Sequence, residues 1–245
     1  MNTLVQVRDL NTEFDSQEIL REVSLDVYEN EILVILGKSG CGKTTLLKHI
    51  IGLYQPVSGS IKIFGSEILG IDEVEFEPIK ERIGVLFQSG ALLNSLTVFE
   101  NIAIPLEEHT DLPKSVIERL IRTKLHLVEL DEAIYKFPRQ LSGGMHKRAG
   151  LARSIALDPE ILFCDEPTAG LDPVTSASID NLIKKLQTQL NMTIVIITHE
   201  LTTIRRIADR VIFMDEGRVL FTGTLAEAQS SSIPQIQLFF EEGKF

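Results

Sequence analysis

The chain has 245 residues, 44% of them hydrophobic and 24% charged, which suits a globular protein with one large α/β core. No apolar run approaches the roughly 20 residues that cross a bilayer, and the first residues lack the basic and apolar segments of a signal peptide, so we expect a cytosolic protein. The formal net charge of −11 argues against broad nucleic-acid binding, and two cysteines, Cys41 and Cys164, give no disulfide framework.

The predicted strands are of two kinds. Three segments alternate or nearly alternate polar and apolar residues and predict an antiparallel β layer: 4–7, 25–27 and 61–64. Other segments are more uniformly apolar, which is typical of a parallel sheet covered on both faces. They lie at 31–36, 82–87, 161–164, 193–197 and 211–214. The Asp-Glu-Gly sequence at 215–217 then predicts a tight hairpin turn.

The middle of the chain is predicted to be helical. One helix is predicted to open at 112–115 and a second to span 145–157, without a clear strand between them. The sequence therefore predicts a mostly helical insertion, residues 89–158, in an α/β domain of residues 1–225. The remaining residues, 226–245, form a tail too short for a regulatory domain.

A glycine-rich loop lies between an apolar strand and a predicted helix. Its sequence fits the pattern GxxxxGK[ST], in which backbone N–H groups and the helix N-terminus bind phosphate. Lys43 is expected to reach the β- and γ-phosphates, and the Thr44 hydroxyl to bind Mg²⁺. Such a loop can also form for packing alone, but in this context we expect it to bind a nucleoside triphosphate. Its members are Gly37, Lys38, Ser39, Gly40, Cys41, Gly42, Lys43, Thr44 and Thr45.

A second motif consists of four apolar residues, 161–164, followed by Asp165 and Glu166. A buried strand ending there would direct Asp165 toward the Mg²⁺ shell and place Glu166 to orient and deprotonate the attacking water. In isolation, two acids at a strand end are often a solvated loop. After a phosphate loop, we favour the catalytic interpretation.

The two cysteines fall inside these motifs, and different behaviour is expected of each. Cys41 lies near a predicted helix N-terminus, where thiol pKa values are lowered, so we expect it to be reactive. Cys164 is predicted to be a small buried hydrophobic residue on a core strand.

A third motif, Ser142-Gly143-Gly144, opens a predicted helix and forms a second candidate anion site. One triphosphate does not need two such sites in one chain. Two chains arranged head to tail do, because each loop can then close on the γ-phosphate held by the other chain. The alternative is a helix cap without a ligand, which the spacing before Asp165 and the Ala-Gly-Leu-Asp sequence ending at Asp172 disfavour.

The order of these motifs resembles that of ATP-binding-cassette (ABC) ATPases along essentially the whole chain. The resemblance implies an α/β P-loop NTPase with a RecA-like parallel-sheet core, an antiparallel β subdomain and a helical insertion. It also implies ATP and Mg²⁺ as ligands and a homodimer of ATPase subunits. The implied catalytic residues are Lys43, Gln88, Glu166 and His199, and the implied metal ligands are Thr44, Gln88 and Asp165. The resemblance further implies that Phe14 stacks on adenine. Asp172, the glycine-rich loop and the Ser142-Gly143-Gly144 motif are implied to bind nucleotide.

A narrower resemblance is to the ATPase subunits of the Mla/Mce lipid transporters of bacterial envelopes. It rests on residues 87–98, on Glu108-His109-Thr110, and on Met145 where most ABC proteins have Gln. The resemblance implies phospholipid transport between inner and outer membranes, with an integral-membrane permease, a periplasmic lipid-binding MCE protein and a small STAS-domain subunit. The ATPase would then sit on the cytoplasmic face of the inner membrane.

The loop at 89–96 is the expected contact with the permease. It contains Ala91, Leu92 and Leu93, which we expect to be exposed and to form a socket wall for a short permease helix. The alternative is that these residues pack inside the helical insertion.

Other functions share much of this pattern. The ATPase of an importer for a metal, an amino acid or another small solute would have the same catalytic residues. A soluble ABC ATPase acting in DNA repair or on ribosomes is disfavoured by the compact single cassette and the acidic charge, and a small kinase by the signature loop. This subunit defines neither the transported molecule nor the direction of transport.

Overall fold

The computed structural model of the protein describes residues 2–242. The strands are β1 (Thr3–Phe14), β2 (Gln17–Tyr28), β3 (Ile32–Leu36), β4 (Ser58–Ile63), β5 (Ser66–Glu67), β6 (Ile83–Leu86), β7 (Ile161–Asp165), β8 (Thr193–Thr198), β9 (Arg210–Asp215) and β10 (Arg218–Gly223). The helices are α1 (Lys43–Ile50), α2 (Glu73–Lys80), α3 (Val98–His109), α4 (Lys114–Leu127), α5 (Gly143–Ser154), α6 (Pro173–Leu190), α7 (Leu201–Ile207), α8 (Leu225–Gln229) and α9 (Pro234–Glu242). Short 3₁₀ turns lie at Asp131–Ala133 and Pro138–Gln140.

The chain divides into two compact units. The first, called the loop unit because it holds the glycine-rich loop, consists of the chain up to Lys80 and from Thr193 onward. The second, called the signature unit because it holds the Ser-Gly-Gly motif, spans Glu81–Met192. Among the described residues, no helix combines the length and the hydrophobicity needed to cross a membrane.

The predicted antiparallel layer is confirmed in the loop unit. Its strands have the order β2-β1-β4-β5, and β1 pairs antiparallel with both neighbours. β1 is longer than the sequence pattern predicts, because a register shift between Val7 and Leu10 interrupts the alternation. Asp9 has a φ of 46° in this bulge, and the shift returns Leu10 to the buried face.

The second sheet of the loop unit is built on strands with continuous apolar sequences. β3 lies between β8 and β9 and pairs in parallel with both, and all its residues are buried. The predicted turn at 215–217 is confirmed: β9 and β10 form an antiparallel hairpin. Glu216 and Gly217 have φ values of 43° and 78°, as a tight hairpin turn requires.

The end of the described chain packs on this unit. Thr224 and Glu227 form a capping box that starts α8. In α9, Ile236 is fully buried, and the Phe239 ring lies edge-on to Phe213 of β9 with centroids 5.4 Å apart. Met1 and residues 243–245 of the predicted domain and tail lie outside the described residues.

In the signature unit, β6 and β7 pair in parallel and α3–α6 supply the helices. The helices predicted at 112–115 and 145–157 are present as α4 and α5. α3 is a further helix of the insertion that was not individually predicted, and Pro105 lies in its interior, where proline normally ends a helix. Thr97 and Glu100 nevertheless form a capping box at its start, and the helix continues through the proline to His109.

Candidate functional site

The glycine-rich loop connects β3 to α1 with a backbone that demands glycine at two positions. Gly37 has a φ of 152°, and a Cβ there would lie 2.1 Å from the carbonyl oxygen of Met214. Gly42 caps α1 with a φ of 102°, and a Cβ there would lie 2.7 Å from Leu20. Side chains at either position would therefore displace the loop from the strand and hairpin that support it.

Lys43 begins α1 and points back onto the loop. Its ammonium donates hydrogen bonds to the carbonyls of Gly37 at 2.8 Å and Lys38 at 2.9 Å. The side chain is only 6% exposed, whereas Lys38, Ser39 and Gly40 are exposed to solvent. The loop thus presents its outer backbone while holding a cation at its inner side.

The expectation that Cys41 has a lowered thiol pKa is wrong. Cys41 is buried with its Sγ 3.7 Å from the Lys43 ammonium. Burial raises the pKa of the thiol above its ordinary value, and this desolvation outweighs the opposing charge of Lys43. Cys164 behaves as predicted: it is fully buried on β7, and burial raises its pKa to about 12.

His199 lies at the same sheet edge as the loop. β3 and β8 are parallel, with Leu36 opposite Thr198, so Gly37 and His199 each follow a paired strand end. His199 is exposed there, and the preceding Thr198 hydroxyl accepts a hydrogen bond from the Glu200 N–H at 3.0 Å. The loop unit therefore places the glycine-rich loop and an imidazole at one edge of one sheet.

Phe14 ends β1 in the same unit and is 42% exposed. Its ring lies edge-on to Tyr54, with centroids 5.4 Å apart and planes at 73°. Tyr54 is tied to α1, because its carbonyl lies 3.0 Å from Nδ1 of His49. A partly open aromatic ring is thus connected to the helix that follows the phosphate loop.

The signature unit brings Gln88, Asp165 and Glu166 to one sheet edge. β6 and β7 are parallel with Leu86 opposite Cys164, and the three site residues follow these paired positions. Asp165 is buried, Glu166 is half-buried and Gln88 is exposed. Glu166 has a φ of 48°, a left-handed conformation that residues with a Cβ rarely adopt.

Lys147 joins two of these residues and was missed by the sequence analysis. It lies on α5, is 6% exposed, and its ammonium donates to the carbonyls of Gln88 at 2.7 Å and Glu166 at 3.1 Å. A sequence signal was present, because Lys147 precedes Gly150 and Leu151 by three and four residues and so shares their buried helix face.

The Ser142-Gly143-Gly144 motif opens α5 as predicted. The Ser142 hydroxyl caps the helix by accepting the Met145 N–H at 3.3 Å. A Cβ at Gly144 would lie 2.7 Å from the Thr175 methyl, so this glycine permits close packing within the unit. Ser142 and Gly143 are exposed.

Asp172 occupies the N-cap of α6. Its carboxylate accepts the N–H groups of Val174 and Thr175 at 3.0 Å each, and it also accepts the Thr175 hydroxyl. The hydroxyl bond, more than the backbone bonds, lowers the pKa of Asp172. Its contacts in the structure are those of a helix cap, and nucleotide binding by Asp172 stays a prediction.

The expectation that Ala91, Leu92 and Leu93 are all exposed is wrong. Leu92 is 9% exposed and belongs to the core, whereas Leu93 is 47% exposed and Ala91 is half-buried. The Arg153 guanidinium donates to the Ala91 carbonyl, which fixes this part of the loop against α5. Leu93 remains as an exposed apolar side chain of the loop.

The oxygen donors predicted for a metal are the hydroxyl of Thr44, the amide of Gln88 and the carboxylate of Asp165. Within residues 2–242, no group of three or more His, Cys, Asp or Glu side chains is arranged to hold a metal ion. A donor set with one carboxylate and neutral oxygens suits Mg²⁺, which is commonly bound by one or two carboxylates together with substrate phosphates and water.

Comparison with known proteins gives consistent matches. Residues 20–169 match the family model of the ABC transporter. The probable ribonucleotide transport ATP-binding protein mkl of Mycobacterium leprae is 40% identical over 239 residues, which cover 98% of this chain and 69% of that protein. The methionine import ATP-binding protein MetN 1 of Acinetobacter baylyi is 39% identical over 236 residues, which cover 95% of this chain and 66% of that protein.

Solved structures agree with these relatives. The dimeric, post-hydrolysis structure of the ATP-binding cassette MJ0796 with ADP and Pi has a TM-score of 0.83 at 30% identity, covering 91% of this chain and 99% of that one. CbiO1 from Clostridium perfringens, part of the ABC transporter complex cbiONQ, has a TM-score of 0.86 at 27% identity, covering 98% and 100%. The predicted α/β P-loop NTPase fold is thereby confirmed. With a family match over more than half of its length and relatives 40% identical along nearly all of it, the chain belongs to the ABC transporter family, as an ATPase that binds and hydrolyses ATP.

Proposed function

We propose that this ATPase powers the transport of phospholipid between the inner and outer membranes of a bacterial envelope. The observation that carries this proposal is the loop at residues 87–98, together with Met145 in the signature motif, which resembles the Mla/Mce ATPases. In that arrangement the chain acts on the cytoplasmic face of the inner membrane. Its partners are an integral-membrane permease, a periplasmic MCE lipid-binding protein and a small STAS-domain subunit.

The loop unit supplies the nucleotide contacts in this proposal. The exposed backbone of residues 38–40 and the start of α1 bind the β- and γ-phosphates. Lys43 turns from its loop carbonyls to these phosphates, since an anionic oxygen is a stronger acceptor than a neutral carbonyl. Phe14 stacks on the adenine ring, using the face that Tyr54 leaves open.

Hydrolysis is assigned to residues at the strand ends. Glu166 accepts a proton from water, the water oxygen attacks the γ-phosphorus, and the bond from phosphorus to the bridging oxygen breaks. ADP leaves with the electron pair of that bond, and the transferred group is released as inorganic phosphate. Gln88 orients the water, and His199 donates a hydrogen bond to the γ-phosphate.

Mg²⁺ fits the oxygen donors of Thr44, Gln88 and Asp165, and we assign these residues to hold it. When bound, the ion neutralises charge on the β- and γ-phosphates. Asp165 is suited to the task because it is buried at the end of a rigid core strand. Thr44, the second residue of α1, is an exposed residue directly after the glycine-rich loop.

The signature motif is assigned to the nucleotide of a second copy of the chain. Ser142 and Gly143 are exposed at the N-terminus of a 12-residue helix, where backbone N–H groups favour an anion. The similar cassette MJ0796 is described as a dimer with ADP and Pi, which supports a homodimer here.

Leu93, exposed in the loop after β6, is the residue that we assign to permease contact.

The transported molecule is tested on the native complex. The chain is purified from its source with its partners in mild detergent, and the complex is reconstituted in proteoliposomes with labelled phospholipid. We expect an MCE partner, co-purified phospholipid, and ATP-dependent transfer that stops in the complex with Glu166→Gln. A complex that contains a solute-binding protein and transfers no lipid would contradict the proposal.

Import of a small solute is the second candidate. It is favoured by the 39% identity with the methionine import protein MetN 1, which extends over 95% of this chain. Every residue assigned to ATP hydrolysis would keep its role, because these residues act on the nucleotide alone. The same reconstituted complex distinguishes the two, since an importer of this kind would show ATPase activity stimulated by its solute.

A further inference from the structure

Helix α5 makes close contact with the loop that follows β6 inside the signature unit. A Cβ at Gly150 would lie 3.2 Å from the Cα of Gly90 and 2.8 Å from the Leu86 side chain, so the helix approaches as closely as glycine allows. The Arg153 guanidinium also donates to the Ala91 carbonyl. Helix and loop are therefore packed backbone against backbone.

Lys147 extends this contact to the catalytic strand end. Its buried ammonium donates to the carbonyl of Gln88 at 2.7 Å and to the carbonyl of Glu166 at 3.1 Å. The Glu166 carbonyl also accepts the Ala169 N–H at 3.2 Å. A buried ammonium is stable only where acceptors surround it, so the positions of these carbonyls and of Lys147 are mutually fixed.

The backbone of Glu166 needs such a fixed position. Its φ of 48° lies in the left-handed region, which a residue with a Cβ keeps only where its surroundings enforce it. This backbone conformation sets the direction of the Cα–Cβ bond from which the Glu166 side chain extends. A hydrogen bond to its carbonyl therefore bears directly on where the carboxylate points.

We propose that Lys147 is a positioning residue for ATP hydrolysis, holding the Glu166 carboxylate and the Gln88 amide in their working orientation through the two backbone carbonyls. The inference rests on the proposed roles of Glu166 and Gln88. Lys147 lies in the helix that Ser142 begins. If nucleotide bound at the Ser-Gly-Gly motif displaces this helix, the Lys147 ammonium would move with it and shift the backbone of both Gln88 and Glu166. Binding at the motif would thereby change the orientation of the Glu166 carboxylate.

Lys147→Met tests the proposal, because methionine keeps the length and apolar stem but donates no hydrogen bond. We expect the kcat for ATP hydrolysis to fall about 100-fold, the scale of a misplaced catalytic group, while the KM for ATP changes little. Lys124→Met is the matched control. Lys124 is 3% exposed in the same unit and pairs with the exposed Asp158, so its loss should leave kcat unchanged.

A double-mutant cycle separates positioning from packing. If Lys147 acts through Glu166 and Gln88, Lys147→Met should lower the single-turnover rate in the wild-type background and cause little further loss in a background that carries both Glu166→Gln and Gln88→Ala. Equal losses in both backgrounds would mean that Lys147 serves packing alone, and the proposal would be wrong. Lys147→Gln should give an intermediate rate, since its amide still donates; the same cycle with this variant applies if the methionine protein does not fold.

The inference and the proposed function fail in different ways. Wild-type protein that binds ATP but hydrolyses none, alone or with its partners, would remove the proposed function. An active wild type with Lys147→Met at the wild-type kcat would remove the inference and leave the proposed function standing.

Discussion

The two units of the chain hold their site residues by different means. In the loop unit, the Lys43 ammonium bonds carbonyls only six and five residues away, within the same loop. In the signature unit, the Lys147 ammonium bonds carbonyls 59 and 19 residues away, on two different strand ends. The first arrangement is complete once one loop has folded, whereas the second exists only when helix, loop and strand are packed together.

This difference has a functional consequence. Because the Lys43 contacts lie within one loop, a movement of α5 leaves them in place. An arrangement that spans three elements responds when any one of them moves. We therefore expect substitutions in the loop unit to act mainly on nucleotide binding, and those in the signature unit to act mainly on turnover.

Glu166→Gln is the strongest test of this contrast. The amide cannot accept the proton of water, so we expect turnover to fall by about 10²- to 10⁴-fold while ATP binding is retained. Single-turnover hydrolysis and equilibrium nucleotide binding are measured on the same protein. Glu160→Gln is the control, because Glu160 flanks the opposite end of β7 and is paired with Arg82 at the surface. A Glu166→Gln protein with nearly normal single-turnover hydrolysis would remove the general-base assignment.

Mixing two inactive variants tests whether the units of different copies cooperate. Lys43→Ala should abolish nucleotide binding, and Ser142→Arg should block the signature motif with a bulky side chain. Each protein alone should be inactive, yet a heterodimer holds one site with both parts intact. Activity that appears on mixing supports sites shared between copies. Full activity of the Ser142→Arg protein by itself, as a monomer, would contradict the assignment.

Gly37→Ala tests how far the phosphate loop depends on its support. The new Cβ would clash with the Met214 carbonyl, so the loop must leave β9. Gly65→Ala is the control, since Gly65 has a φ of 84° but no atom within 4 Å of the added carbon. We expect Gly37→Ala to lower the free energy of unfolding by about 1–3 kcal/mol more than Gly65→Ala and to weaken ATP binding. Equal stabilities in urea unfolding would show that the loop tolerates the displacement.

The smallest expected effect concerns pH and the loop unit. His49 is fully buried on α1, with Nδ1 3.0 Å from the Tyr54 carbonyl and Nε2 2.8 Å from the Thr12 hydroxyl. Burial lowers the pKa of His49 below its ordinary value of 6.5, so in mildly acidic solution the unfolded chain binds a proton that the folded protein does not. The free energy of unfolding should therefore decrease as the pH falls from 6.5 toward the lowered pKa.

Urea unfolding at a series of pH values checks this effect. The decrease should be shallower in His49→Gln, whose amide can still bond Thr12 but does not titrate. If wild type and variant lose stability in parallel, the burial of His49 is not the cause of the acid sensitivity.

What the sequence could predict follows the same division between local and long-range structure. The strand, glycine-rich loop and helix at residues 32–50, the hairpin turn and the start of α5 depend on neighbouring residues, and all were predicted at their places. The strand core of β1 was predicted only up to Val7, because a bulge formed by pairing with β2 and β4 breaks the alternation there. α3 was not individually predicted, and it continues through Pro105 to His109, although proline normally ends a helix.

The misses in the candidate site share this cause. The raised pKa of Cys41 comes from burial, which outweighs the local effects of the helix end and Lys43 on which the prediction was based. Leu92 and Leu93 are adjacent and chemically identical, and only the fold decides which of them is buried. The sequence places Lys147 on the buried helix face of Gly150 and Leu151, but only the fold decides which distant carbonyls its ammonium reaches.

The last helix of the described chain contacts the strand that supports the glycine-rich loop. Phe239 of α9 packs against Phe213, and the next residue of that strand, Met214, carries the carbonyl that lies against Gly37. Deleting α9 would expose the Phe213 side of this strand to solvent and remove a contact that holds the strand in place. A protein that ends just before Pro234 should therefore bind ATP less firmly than the 245-residue chain, although every residue assigned to the nucleotide is still present.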